Sequence, residues 1–209
     1  MKLQIRYNFT DLAHALEIAQ QTATYADIVE IGTLLIFKEG INAVKEFKKN
    51  FPNKPLYVDA KIADRGTEST ELFCQAGASF VSVLSNTYYY IIKDAVNTAK
   101  SYNAEIVLDF ISTEMPGQVA AEATNLGASR ILLHRARTPD QSIDLEQDWA
   151  SVRENTDLPI FIKGKIDAQV LRDIVPLKPE GVVIGSAITY AHNPAEEAQK
   201  IRELLDKHR

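Results

Sequence analysis

Residues 27–64 read DIVEIGTLLIFKEGINAVKEFKKNFPNKPLYVDAKIAD. Two apolar runs rich in β-branched residues, DIVEIGT (27–33) and PLYVDAK (55–61), flank EGINAVKEFKKNF (39–51), whose apolar positions recur at helical spacing. That is one strand–helix–strand unit, and a helical crossover between two strands implies that they lie parallel. The same alternation extends outward in both directions. Strand patterns recur at LQIRYNF (3–9), SFVSVLS (79–85), EIVLDFIS (105–112), SRILLHRA (129–136), PIFIKG (159–164) and GVVIGS (181–186). Helical patterns include DLAHALEIAQQTA (11–23), YYYIIKDAVNTAKSYN (88–103) and NPAEEAQKIRELLDKH (193–208).

Boundary signals agree with this reading. Asp11 or Thr10 can cap the first helix, Asn193-Pro194 can open the last, and Gly77 and Gly127 follow helices. No Gly/Ser-rich linker or composition break divides the chain. Eight uninterrupted units predict an α/β fold, a single (β/α)8 barrel over residues 1–209, because an open doubly wound sheet normally uses about five or six strands.

Composition narrows the function classes. Hydrophobic residues make up 45% and charged residues 24%, the balance of an ordinary globular protein. Lys and Arg number 23 against 28 Asp and Glu, with no basic run, so nucleic acid is not the expected partner. No apolar stretch approaches the roughly 18 residues that span a bilayer, and MKLQIRYNF carries no apolar leader, so no membrane partner and a cytoplasmic location are expected. The single cysteine, Cys74, cannot form an intramolecular disulfide and reads as a core residue.

In a parallel strand covered on both faces, a charged side chain needs a partner or a task. Here such residues gather near strand ends: Glu30, Asp59, Lys61, Asp109, His134, Arg135 and Lys163. In a barrel those ends converge on one mouth, where this fold carries its chemistry. The most informative stretch is Asp59-Ala60-Lys61-Ile62-Ala63-Asp64, a D-x-K-x-x-D pattern. Strand alternation puts Asp59 and Lys61 on one face, about 7 Å apart along the chain, with Asp64 in the following loop. They can address one substrate together or simply form an ion pair. Glu30 adds a carboxylate on the neighbouring strand, and two convergent carboxylates suit a hard cation such as Mg²⁺. His134 and Arg137, in the run HRAR, can handle a proton and hold an anion or an ordered water. Gly164 and Gly185 follow the seventh and eighth strands, the common phosphate-binding position of such barrels.

On these residues the sequence resembles the 3-hexulose-6-phosphate synthases and 3-keto-L-gulonate-6-phosphate decarboxylases of the orotidine 5′-phosphate decarboxylase suprafamily. The likeness covers the whole chain. It is carried by MKLQ at the start, by residues 27–64 quoted above, by HRAR (134–137) and by GVVIGSAITYAHNPAEEAQKIRELL (181–205). The resemblance implies a lyase on a ketose phosphate working through a cis-enediolate. It implies Mg²⁺ held by Glu30 and Asp59, Lys61 stabilising the enediolate, His134 donating a proton with help from Arg137, and a homodimer in which Asp64 reaches the other subunit's site. Asn8, Gly164, Gly185 and Ser186 occupy the substrate and phosphate positions.

The chain departs from the family pattern in three places. The first strand normally ends in aspartate, as in L-A-L-D, but here runs Arg6-Tyr7-Asn8. The loop after strand seven normally carries Gly-Gly but reads Lys163-Gly164-Lys165, and Ser186 stands where the decarboxylases tend to carry arginine. The alternative these changes leave open is a sugar-phosphate-binding member with an altered substrate or no turnover. Orotidine 5′-phosphate decarboxylation would need a nucleotide pocket that the sequence does not indicate.

Overall fold

The computed structural model describes residues 1–134 and 145–207. Its strands are β1 (Lys2–Tyr7), β2 (Ile28–Ile31), β3 (Leu56–Ile62), β4 (Phe80–Leu84), β5 (Glu105–Asp109), β6 (Arg130–His134), β7 (Ile160–Lys163) and β8 (Gly181–Ile184). Each pairs in parallel with the next, and β1 also pairs with β8, closing an eight-stranded barrel. Around it run α1 (Leu12–Thr22), α2 (Thr33–Glu39), α3 (Ile41–Asn50), α4 (Gly66–Gln75), α5 (Tyr89–Ser101), α6 (Pro116–Leu126), α7 (Leu145–Arg153), α8 (Ala168–Ile174), α9 (Ser186–Thr189) and α10 (Pro194–Asp206).

Local chemistry sets several of these boundaries. Asp11 caps α1 by accepting the His14 N–H at 2.9 Å, Asp167 caps α8, and Asn193 caps α10 just before Pro194. Gly127 ends α6 in the left-handed conformation at φ +85°, which costs glycine little. The helical segment expected over 39–51 is in fact preceded by another short helix. Gly40, at φ +57°, separates α2 from α3, so the strand expected to reach Thr33 stops at Ile31 and the chain turns directly into α2.

Strand alternation divides the buried side chains into two shells. Residues such as Leu3, Ile5, Val29, Val58, Val81 and Ile131 face the helices and join one large apolar layer. Ile28, Tyr57, Val107, Leu132, Phe161 and Val183 point inward and fill the barrel. The floor is closed by Arg130, the first residue of β6, whose guanidinium lies 3.9 Å from the Phe80 ring centroid and 4.9 Å from that of Phe161. Cys74 is buried and unpaired, and no helix among the described residues is long and apolar enough to cross a membrane.

Phe161 fits because its neighbour on β8 is Gly181, where an added Cβ would sit 2.3 Å from the ring. Gly181→Ala should therefore destabilise the barrel by about 1–3 kcal/mol, the usual cost of overpacking. Adding Phe161→Leu should recover part of the loss by removing ring atoms. Urea denaturation of the three proteins checks this, and an unchanged midpoint for Gly181→Ala would refute the packing assignment.

Candidate active site

Above the apolar filling, the inward positions change character. Gln4 and Arg6 on β1, Glu30 on β2, Asp59 on β3, Ser82 on β4, Asp109 on β5, His134 on β6 and Lys163 on β7 continue the alternation that places Ile28, Tyr57, Val107, Leu132 and Phe161 inside. Gln4, Glu30, Asp59, Ser82, Asp109 and Lys163 are buried. Their polar atoms must bond one another, since water does not reach them.

They do so as one network. The Lys163 ammonium donates to Glu30 Oε1 at 2.8 Å and to Asp59 Oδ2 at 2.7 Å. The second oxygen of Glu30 accepts from Gln4 Nε2 at 2.5 Å. The second oxygen of Asp59 accepts from Lys61 Nζ at 2.9 Å and from the Ser82 hydroxyl at 3.4 Å. Lys61 Nζ also donates to Asp109 Oδ2 at 2.5 Å, and the Asp109 carboxylate receives His134 Nδ1 at 2.9 and 3.2 Å. An ionised carboxylate only accepts, so Nδ1 carries its proton and Nε2 is the ring nitrogen free to exchange one.

The expected shared face of Asp59 and Lys61 is present, but simple alternation does not produce it. Between the pairs Val58↔Val81 and Ile62↔Val83 the register of β3 against β4 shifts, so Asp59, Ala60 and Lys61 stand opposite Ser82 alone. Lys61 adopts φ +48°, in the left-handed region, and its N–H donates to Ser82 Oγ at 2.9 Å. This bulge aims Lys61 across the mouth toward Asp109, a strained arrangement of the kind found at working sites.

Protonation follows the charges. Burial pushes the Asp59 carboxyl up, but Lys163 and Lys61 outweigh it and hold it far below the usual carboxylate value. Asp109 is lowered in the same way: burial raises it, and the hydrogen bond and charge of His134, with Lys61 and Lys163, more than offset that. For Lys163, burial lowers the ammonium's pKa while Glu30, Asp59 and Asp109 raise it further, and the net shift is upward.

A cavity of about 660 Å³ opens above the network, lined by Arg6, Asn8, His134, Lys163, Lys165 and Tyr190 together with Gly164, Gly185 and Ser186. The expected phosphate-side residues therefore do share one cavity with His134. Asn8 has a second task, since its Oδ1 accepts the Leu34 N–H at 2.9 Å and so caps α2. Asp64 does not join the network: its carboxylate is exposed and accepts the Arg65 N–H at 2.8 Å. Arg137 lies outside the described residues.

Five participants were given no place in the site by the sequence reading: Lys163, Asp109, Gln4, Ser82 and Arg6. Lys163 and Asp109 carried a signal, as charges at the ends of fully apolar strands, but not the identity of their partners. Arg6 shares the inward face of β1 with Gln4 and lies against Gly185, where an added Cβ would come within 3.0 Å of its Nε. That Nε is buried without a hydrogen-bond partner among the described residues.

The expected Mg²⁺ ligands do not fit a divalent ion as they stand. Both oxygens of Glu30 and of Asp59 already accept from cationic or amide donors, and Lys163 occupies the space between the two carboxylates. An ion seated on the same oxygens would lie within about 4 Å of the ammonium, a repulsion on the order of 8 kcal/mol at an effective dielectric near 20. Among the described residues no group of three or more His, Cys, Asp or Glu side chains is arranged to hold a metal.

The lowered carboxyl groups set the acid stability. A carboxyl whose folded pKa lies below its unfolded value stabilises the fold fully above the unfolded value near about 4, and this is lost as pH falls through the folded value. The urea midpoint should fall as pH is lowered from 6 to 3, and Asp109→Asn should show a shallower fall than the wild type. Identical pH slopes for the two proteins would show that Asp109 is not held ionised by its neighbours.

Comparison with known proteins agrees with the barrel fold. Residues 1–201 match the Orotidine 5′-phosphate decarboxylase / HUMPS family. The 3-hexulose-6-phosphate synthase of Bacillus subtilis (strain 168) is 31% identical over 207 residues, covering 98% of this chain and 99% of that protein. The crystal structure of a 3-hexulose-6-phosphate synthase from Salmonella typhimurium superposes with a TM-score of 0.94 at 31% identity, covering 100% of both chains. That of a 3-keto-L-gulonate-6-phosphate decarboxylase from Vibrio cholerae gives 0.81 at 26% identity over 100% of this chain and 98% of the other. A closed barrel with these strand-end residues, matched along nearly its whole length, belongs to the orotidine 5′-phosphate decarboxylase / HUMPS family.

Proposed function

We propose that the protein is a carbon–carbon lyase acting on a ketose phosphate through an enediolate of the substrate. The observation that carries this reading is the chain Lys61–Asp109–His134, which ends at the cavity lined by His134, Gly164, Gly185 and Ser186. The phosphate would sit at the Gly164, Lys165, Gly185 and Ser186 end, on backbone N–H groups and the Lys165 charge. The hydroxy-ketone would then lie toward His134 and Lys61.

The residues suit that chemistry in complementary ways. Lys61, held between Asp59 and Asp109, supplies a fixed positive charge for an oxyanion that develops when a carbon–carbon bond next to a carbonyl breaks or forms. His134 can deliver or take a proton through Nε2 while Asp109 fixes the ring and stabilises its protonated form. The two activities named among the relatives differ only in what meets the enediolate: a proton after loss of CO₂, or formaldehyde adding to ribulose 5-phosphate. A substrate-altered or silent binding member is the second reading, favoured by Arg6 in the cavity. Calorimetric binding of a sugar phosphate without turnover would support it.

We further propose a homodimer in which Asp64 of the partner subunit completes each site. Supporting this, Asp64 is exposed in a loop joined to the next one by Thr87 Oγ1 donating to Ala63 O at 2.6 Å, and that next loop leads into the exposed rings of Tyr88, Tyr89 and Tyr90. An exposed aromatic cluster is a common interface feature.

Purified protein should turn over either 3-keto-L-gulonate 6-phosphate or ribulose 5-phosphate with formaldehyde, and His134→Gln should lower kcat by about 10²–10⁴-fold. Inactivity on both, with the barrel folded, would sink the lyase reading. Mixing inactive Lys61→Ala with inactive Asp64→Ala should restore part of the activity, because a mixed dimer holds one intact site. No recovery despite demonstrated subunit exchange would place both residues in the same subunit's site.

A further inference from the structure

Lys163 reaches its partners from the seventh strand across the barrel to the second and third, and it is 1% exposed. Its position is held by packing as well as by charge: Phe161 fills the layer beneath, and Ile160 and Ile162 anchor β7 in the outer apolar shell. Glu30 and Asp59 are each satisfied on both oxygens by this ammonium together with Gln4, Lys61 and Ser82. Three carboxylates, Glu30, Asp59 and Asp109, meet two ammonium groups, Lys61 and Lys163, and the Arg6 guanidinium acts on Lys163 as a third cation, so the fixed charges already balance. A divalent ion added to this set would unbalance it.

We propose that Lys163 is a resident cation, its ammonium taking the seat between Glu30 and Asp59 that a divalent ion would otherwise fill, so that the site binds its ligand without a metal. Two of the ammonium's three N–H donors go to Glu30 and Asp59, and Lys163 is among the residues that line the cavity. A ligand above the network therefore meets no open coordination position between the two carboxylates. The role of the ammonium rests on the geometry, and only its meaning for turnover rests on the lyase reading.

The test is Mn²⁺ titration followed by electron paramagnetic resonance. The wild type should show no Mn²⁺ site that Glu30→Gln abolishes, and its turnover should be unchanged by EDTA. Lys163→Ala should bind Mn²⁺ at least about 100-fold more tightly than the wild type, because the repelling charge is gone, and Glu30→Gln in the same chain should remove the new site. Lys163→Gln, which keeps hydrogen bonding without the charge, serves where the alanine variant does not fold, with circular dichroism as the check. A Glu30-dependent Mn²⁺ site in the wild type would overturn the proposal, as would a folded Lys163 variant that gains none. The metal titration needs no substrate. Protein that binds no Mn²⁺ yet is inactive on both sugar phosphates sinks the lyase reading alone, whereas active protein that requires Mn²⁺ sinks this one alone.

Discussion

A lysine ammonium with almost no contact with water is tolerable only where opposite charge surrounds it, and the Lys163 ammonium between Glu30 and Asp59 meets that condition. Much of the upper barrel follows from it. Once Lys163 holds one oxygen of each carboxylate, Gln4 is drawn to the other oxygen of Glu30, and Lys61 and Ser82 to that of Asp59. Lys61 then carries the order onward to Asp109, and Asp109 to His134. The position of the histidine at the cavity is thus linked, through charged hydrogen bonds, to a lysine on the adjacent strand. Such pairs are weak contributors to stability but strong ones to arrangement, because each alternative pairing leaves a buried charge alone.

The barrel separates these tasks along its axis. The lower interior, from Arg130 between Phe80 and Phe161 up through Tyr57, Val107 and Leu132, is filled by packing. The upper interior is filled by charge. The bulge in β3 marks the border, where the strand gives up regular pairing so that Lys61 can lean over the mouth while Ser82 bonds the displaced backbone. The barrel itself superposes closely on that of a relative 31% identical to this chain. At the mouth, the Arg6 guanidinium fits because Gly185 has no side chain to exclude it.

The eight strands, their parallel order and the charged residues at their ends were legible in the sequence, because alternation along a strand and periodicity along a helix are local properties that side-chain chemistry prints directly onto the chain. So were the meeting of Glu30, Asp59, Lys61 and His134 in one region and the shared cavity of Asn8, Gly164, Gly185 and Ser186. What sequence reading missed was pairing. Lys163 was visible as a charge after the apolar run PIFI, but its partners lie 104 and 133 residues away, and nothing local distinguishes a lysine that reaches a phosphate from one that fills a cation's seat. Only closure of the barrel, which sets the second, third and seventh strands around one axis, decides which carboxylates share which ammonium. Likewise the left-handed turn at Lys61 and the second helix after Gly32 depend on what Ser82 and Asn8 offer from neighbouring strands. Sequence by itself determined the strands and which charges end them, and the tertiary structure alone decided which of those charges touch, because contact across a barrel depends on strand register and tilt that no single strand encodes.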